Sequence, residues 1–251
     1  STISTASWSA SERVRVHERP SPNHAPRPTG TPVDTLVLHY TGMATGEAAL
    51  ARLRDPAAEV SAHWLVDEAG NVVRLVDEER TAWHAGVSAW RGRVGLNDRS
   101  VGIEIVNGGH AFGLPPFPEA QIEAVIALAR AVIARWSIAP VDVVAHSDVA
   151  PMRKADPGER FPWARLARAG VGLWPEPGDG PPAANLTGDL ATIGYVLDGA
   201  PQPTSLGGAL AAFQRRFHPD GTVDGRPDKA TRRRLREVAA AHLLAAPPGA
   251  P

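Results

Sequence analysis

Apolar residues recur along this chain with two different periods, and the switches between them mark out its elements. Residues 1–30 show neither period. Their stretch RPSPNHAPRPTG (19–30) is polar and proline-rich and reads as an extended lead-in. The run VDTLVLHY (33–40) is β-rich and apolar, the pattern of a buried strand. TGMATGEAALARLRD (41–55) opens on turn residues and continues in helix formers. AHWLVDEAGNVVRLV (62–76) sets two short apolar runs about E-A-G-N, a hairpin signal. SVGIEIV (100–106) predicts another buried strand. In 118–138, Ile122, Val125, Ile126, Ala129, Val132, Ile133 and Trp136 follow helical spacing, so one face packs on a sheet. VDVVAH (141–146) reads as a strand ending on a histidine. This order predicts an α/β fold, a mixed sheet flanked by helices.

The pattern changes at PEPGDGPPAAN (175–185), which cannot form a regular element and reads as a linker. Beyond it lie two helical patterns, 205–217 and 228–244, expected as a small all-α C-terminal domain. The predicted division is an N-terminal extension (1–30), a main domain (31–174), the linker (175–185), the helical domain (186–245) and a tail (246–251).

Composition narrows the chemistry. The 251 residues carry a net charge of -1, which gives no electrostatic reason to expect nucleic acid. There is no cysteine, so disulfides, thiolate metal sites and cysteine nucleophiles are excluded, and any metal must be held by His, Asp or Glu. No stretch of about 18 apolar residues exists to form a membrane-spanning helix. The first residues, STISTASWSASERVRV, lack the apolar core of a signal peptide, so a cytoplasmic location is expected unless a signal was removed; a monomer is expected as well.

Among nine histidines, His39 and His146 stand at predicted strand ends, where side chains can converge on a cleft, and Asp156 follows ten positions later. Two histidines and a carboxylate with a fourth position open is the usual plan of a catalytic zinc site. Spacing alone does not establish that groups so far apart meet. Glu104 interrupts the apolar strand VGIEIV; it is either half of a buried ion pair or a general base. Lys154 shares a face with Asp156 if that segment is extended. It is then placed to donate to a developing oxyanion; otherwise it is a solvated lysine.

LVLHYTGM, AWHAG, SVGIEIVN and AHSDVAP..KADPGERFPW, in this order, resemble zinc-dependent N-acetylmuramoyl-L-alanine amidases related to peptidoglycan recognition proteins, over roughly residues 30–170. The resemblance implies one Zn²⁺ held by His39, His146 and Asp156, with Glu104 as base and Lys154 stabilising the transition state. It implies a peptidoglycan fragment as substrate, cut between the muramic acid, anhydro or not, and L-alanine. It also places Trp83 and His84 in the cleft wall, His84 either behind the metal group or against the substrate; the alternative is a packed aromatic beside a core histidine. Asn97 and Asn107 are candidates for substrate contact or ordinary turn residues, Arg153 and Arg160 are candidates for a stem-peptide carboxylate or ordinary surface arginines, and His63 reads as structural or as a support behind the site. The stretch LAAFQRRF…DGTVDGRPDKATRRRL is similar to peptidoglycan-binding domains, which would favour the periplasm. Arg215, Arg216 and the run 232–234 read as the solvated face of two helices. Two rival readings are a recognition module that binds without cutting and a zinc peptidase acting on the stem.

Overall fold

The computed structural model describes residues 16–199 and 203–245. Its centre is a six-stranded sheet in the order β1 (Val16–Glu18), β5 (Val72–Arg74), β4 (Trp64–Val66), β9 (Ser100–Ile105), β3 (Thr35–Tyr40), β10 (Val143–Ala145). β4 and β5 form the expected antiparallel hairpin, and the other pairings are parallel. Asp67 closes the hairpin turn by accepting from the Ala69 and Asn71 amides, while Gly70 supplies the left-handed residue at φ 81°. Two short ribbons flank the sheet, β2 (His24–Pro26) with β6 (Arg80–Ala82) and β7 (Ala89–Trp90) with β8 (Arg93–Val94).

One face of the sheet is covered by α2 (Glu119–Trp136). Leu36, Leu38, Val101, Ile103 and Ile105 pack there against Ile122, Val125, Leu128, Ala129 and Val132. The strands in the middle of a sheet so covered are nearly continuous apolar runs, which is why β3 and β9 were legible. α1 (Gly46–Arg54), capped by Thr45, borders the opposite face.

α4 (Trp163–Arg168) precedes the linker, and the C-terminal helices are α5 (Leu186–Ile193), α6 (Leu206–Phe217) and α7 (Lys229–Ala245). α6 and α7 match expectation. α5 was not anticipated, because LTGDLATI is short and carries a glycine and two threonines. Its N-terminus is fixed by Asn185, whose side chain accepts from the Gly188 amide. These helices share one apolar cluster with the sheet: Leu190, Ile193, Leu210, Phe213, Phe217, Leu235 and Val238 meet Val37 and Val144.

Three other features depart from the sequence reading. Part of the extension joins the fold: β1 adds an edge strand parallel to β5, and β2 pairs with β6. An edge strand need not be apolar, so V-H-E gave no signal. Residues 1–15 and the tail lie outside the described residues. His146 is not the last residue of a strand but the first of α3 (His146–Val149), because Asp148 accepts the Ala145 amide at 2.8 Å and turns the chain. Arg216 and Arg234, expected on a solvated face, are buried. Arg216 reaches Asp148 and the Val143 carbonyl and lies 4.1 Å over the Trp163 ring. Arg234 donates to the Phe217 carbonyl at 3.1 Å.

Candidate active site

The parallel ladder of β3 and β9 sets His39 directly beside Glu104. Their side chains leave the sheet on the face away from α2, since alternate residues point to opposite sides. α3 begins at the end of the neighbouring strand β10 and delivers His146, and the loop behind it returns Asp156. That loop is tied to α3 by a hydrogen bond from the Ser147 amide to the Asp156 carbonyl at 3.0 Å.

The three side chains predicted as ligands therefore meet. His39 Nδ1 lies 2.9 Å from His146 Nδ1 and 3.1 Å from Asp156 Oδ2, and His146 Nδ1 lies 3.0 Å from Asp156 Oδ2. All three are buried, and no further histidine or acidic group joins them among the described residues. Ligand atoms on a tetrahedral ion with bonds of about 2.0–2.1 Å sit roughly 3.3 Å apart. The triangle is nearly that size, and two imidazole nitrogens with one carboxylate oxygen suit a transition-metal ion. The group can hold a metal ion.

Burial governs the electrostatics. It pulls the His39 imidazole down to about 4, helped by His146 and opposed by Asp156. Burial alone would raise Asp156, but the two imidazoles beside it hold its carboxyl well below the usual carboxylate range. Both effects favour the forms that bind a metal, a neutral imidazole and an ionised carboxylate. Glu104 is pushed the other way. Burial, and then the Asp156 charge, raise it well above the ordinary value, with Lys154 opposing. Its Oε2 is shut off from solvent with no hydrogen-bond partner among the described residues. The alternative of a buried ion pair is thus not what the geometry contains.

These groups border a cleft of about 440 Å³ lined by Tyr40, Met43, Trp83, Glu104, Lys154 and Asp156, among others. Trp83 faces it, half-buried, and Lys154 lies on the same wall as Asp156.

The other candidates are tied to the protein's own framework, His84 and Arg153 while also lining the cleft. His84 stands behind His39, with its Nδ1 3.0 Å from His39 Nε2. Its Nε2 lies 3.2 Å from Ser100 Oγ. The Asn97 side-chain oxygen accepts from the amides of His84 at 3.1 Å and Ala85 at 2.7 Å. Asn107, read as either a substrate contact or a turn residue, holds its own loop, donating to the Pro115 carbonyl and accepting from the Gly109 amide. Arg160 donates to the Leu114 carbonyl at 2.7 Å, and Arg153 reaches the Ala85 and Val87 carbonyls. Conformation explains these outcomes: loops without regular pairing need side chains to satisfy their backbone groups. His63 is structural, as expected; its Nδ1 accepts the Gly102 amide at 2.9 Å.

Ala85 and Ser100 were missed altogether. The Ala85 carbonyl accepts from His146 Nε2 at 3.2 Å. A backbone carbonyl leaves no trace in a sequence. For the His84–Ser100 pair there was a trace, the glycine in the middle of β9. A Cβ on Gly102 would lie 2.5 Å from the His84 ring, and an isolated strand glycine signals such an approach.

The sequence matches the N-acetylmuramoyl-L-alanine amidase family over residues 29–159. It is 40% identical over 211 residues to the N-acetylmuramoyl-L-alanine amidase AmiD of Escherichia coli, covering 74% of this chain and 75% of that protein. To the 1,6-anhydro-N-acetylmuramyl-L-alanine amidase AmpD of Enterobacter cloacae it is 35% identical, over 59% of this chain and 86% of that protein. The solved complex of AmiD with anhydro-N-acetylmuramic acid-L-Ala-D-γ-Glu-L-Lys superposes with a TM-score of 0.73 at 36% identity, covering 89% of this chain and 93% of that one. AmpDh3 of Pseudomonas aeruginosa, solved with an anhydromuramic pentapeptide, gives a TM-score of 0.75 at 34% identity, covering 86% and 94%.

Proposed function

Because the chain belongs to the N-acetylmuramoyl-L-alanine amidase family, we propose that its cleft takes peptidoglycan fragments and that His39, His146 and Asp156 hold a zinc ion there. The reaction is hydrolysis of the amide between N-acetylmuramic acid, or its 1,6-anhydro form, and L-alanine of the stem peptide, a step of peptidoglycan turnover and recycling. The observation that carries the residue assignment is the convergence of the three ligating atoms beside Glu104 on one face of the sheet.

Zinc suits this donor set better than calcium or magnesium, which take oxygen ligands. When bound, it supplies Lewis acidity towards the scissile carbonyl and towards water. Glu104 takes the proton from the attacking water. It then returns that proton to the departing nitrogen of L-alanine, so that the amine leaves neutral. A carboxylate whose affinity for protons is raised by burial is suited to both halves of that transfer. Lys154, on the same wall, donates to the oxygen that gains negative charge as the carbonyl carbon becomes tetrahedral. Trp83 offers an aromatic face to the sugar or the stem.

The test is a zinc-loaded chain incubated with an anhydro-N-acetylmuramyl tripeptide and followed by mass spectrometry. Free stem peptide and a sugar without peptide are expected, with loss of turnover on chelation and recovery on adding zinc. A shortened stem still attached to the sugar would make the chain a peptidase instead. Binding without any product would make it a recognition module. Whole sacculi assayed beside the small fragment show which of the two the cleft prefers.

A further inference from the structure

A histidine can bind a metal through Nδ1 only if the proton sits on Nε2, and the surroundings of both ligand histidines specify where that proton lies. The chain of hydrogen bonds behind His39 starts at a backbone carbonyl, which can only accept. Ser100 Oγ makes a short hydrogen bond to the Leu96 carbonyl, so the single hydroxyl proton is committed there. Ser100 Oγ is left to accept, and its contact with His84 Nε2 at 3.2 Å places the His84 proton on Nε2. His84 Nδ1 then carries a lone pair, so the 3.0 Å contact with His39 requires His39 Nε2 to donate. His39 Nδ1, facing His146 and Asp156, is left bare. His146 is settled in one step: its Nε2 lies 3.2 Å from the Ala85 carbonyl, so its Nδ1 is bare as well.

The segment that carries these partners is itself held at each amide. The Trp83 amide donates to Ser61 Oγ at 2.8 Å, and those of His84 and Ala85 donate to Asn97. The Ala85 carbonyl is also gripped by Arg153 at 2.9 Å. Gly102 leaves the space that the His84 ring occupies. The two adjacent residues thus serve the two ligands, His84 by its ring and Ala85 by its carbonyl.

We propose that Ser100 and His84 are positioning residues which fix His39 as its Nε2–H tautomer, and that the Ala85 carbonyl does the same for His146, so that both imidazoles present bare Nδ1 atoms before the ion arrives. The inference rests on the metal reading given above. Long-range ¹H–¹⁵N correlation spectra of the full chain, stripped of metal and specifically labelled at histidine, test it directly. His39, His84 and His146 are expected to show the Nε2–H pattern; an Nδ1–H pattern at His39 would overturn the proposal. Removing the anchor with Ser100→Ala is expected to weaken zinc binding by about 10- to 100-fold, read by chelator competition. The metal-free protein should stay folded with a lower thermal midpoint, because the Leu96 carbonyl loses its donor, and the Glu104 environment should stay as it is. Unchanged zinc affinity would count against the relay. Should Ser100→Ala fail to fold, the wild-type spectra still decide. If the wild-type chain takes up no zinc, the metal reading falls; if it takes up one equivalent but shows the opposite tautomer, only the present inference falls.

Discussion

The two faces of strand β9 differ residue by residue. Val101, Ile103 and Ile105 point under α2 into the apolar core. Ser100, Gly102 and Glu104 point the other way, where Ser100 meets His84, Gly102 makes room for its ring and Glu104 stands beside His39. One face is uniform and replaceable in kind; the other has three different residues, each fitted to a neighbour. A strand with period 2 can thus separate stability from chemistry within six residues.

Four experiments bear on that separation. The largest effect is expected for Glu104→Gln, which should reduce kcat by about 10²- to 10⁴-fold while zinc content and thermal midpoint are kept. Loss of zinc or of the fold would mean that the cleft face also holds the sheet together. On the other face, Ile103→Ala should cost about 2–5 kcal/mol in denaturant unfolding, since it empties a fully buried position. The protein that remains folded should turn over normally; a lower kcat in that fraction would break the comparison.

The third concerns acid. His63 and His242 are both pulled by burial from 6.5 down to about 3. The unfolded chain takes up these protons and the folded chain does not. Stability is therefore full above about pH 6.5 and falls towards pH 3, by up to about 1.4 kcal/mol per pH unit for each ring. His63 sits behind the chemical face and accepts from Gly102. His242 lies near the Ile193 backbone, yet neither of its ring nitrogens makes a sound hydrogen bond among the described residues. His242→Leu should therefore flatten the pH dependence without loss at neutral pH, whereas His63→Leu should also disturb β9. Unfolding free energies measured between pH 7 and 4 decide this, and an unaltered slope for His242→Leu would contradict it. The smallest effect is expected for Arg165→Ala. It breaks exposed ion pairs to Glu119 and Glu123 on the outside of α2 and should leave the thermal midpoint where it was.

How far the sequence could be read follows the same division. β3, β9 and α2 were visible because burial against a helix-covered sheet imposes a periodicity on them. Glu104 was visible because it breaks that periodicity. The three candidate ligands were visible through motifs, but their meeting depends on the strand order β9-β3-β10, which pairs segments far apart in sequence. The edge strand β1 and helix α5 were not legible: one is polar at a margin, the other short and weak in propensity. Asn97 and His84 were placed in the right region, with a loop role open for the one and a place behind the metal group open for the other, and the contacts to Ala85 and His39 fit those readings. Sequence indicates that a polar residue near a cleft is constrained, but not whether a ligand or a backbone amide constrains it. Buried Arg216 was hidden for a related reason, since its partner Asp148 is nearly seventy positions away.

That last pair has a consequence for how the molecule comes into being. Asp148 turns the chain at His146, and it is itself held by Arg216 and by the Tyr195 hydroxyl at 2.7 Å. During synthesis His39, His146 and Asp156 leave the ribosome before either of these anchors exists. A nascent chain that ends in the proline-rich stretch after Trp174 carries all three of these residues, yet Asp148 there lacks both the Arg216 guanidinium and the Tyr195 hydroxyl that hold it in the finished fold. The turn that carries His146 is therefore completed from the far end of the polypeptide, and ribosome-stalled intermediates of increasing length are expected to reach full zinc affinity only once α6 has emerged.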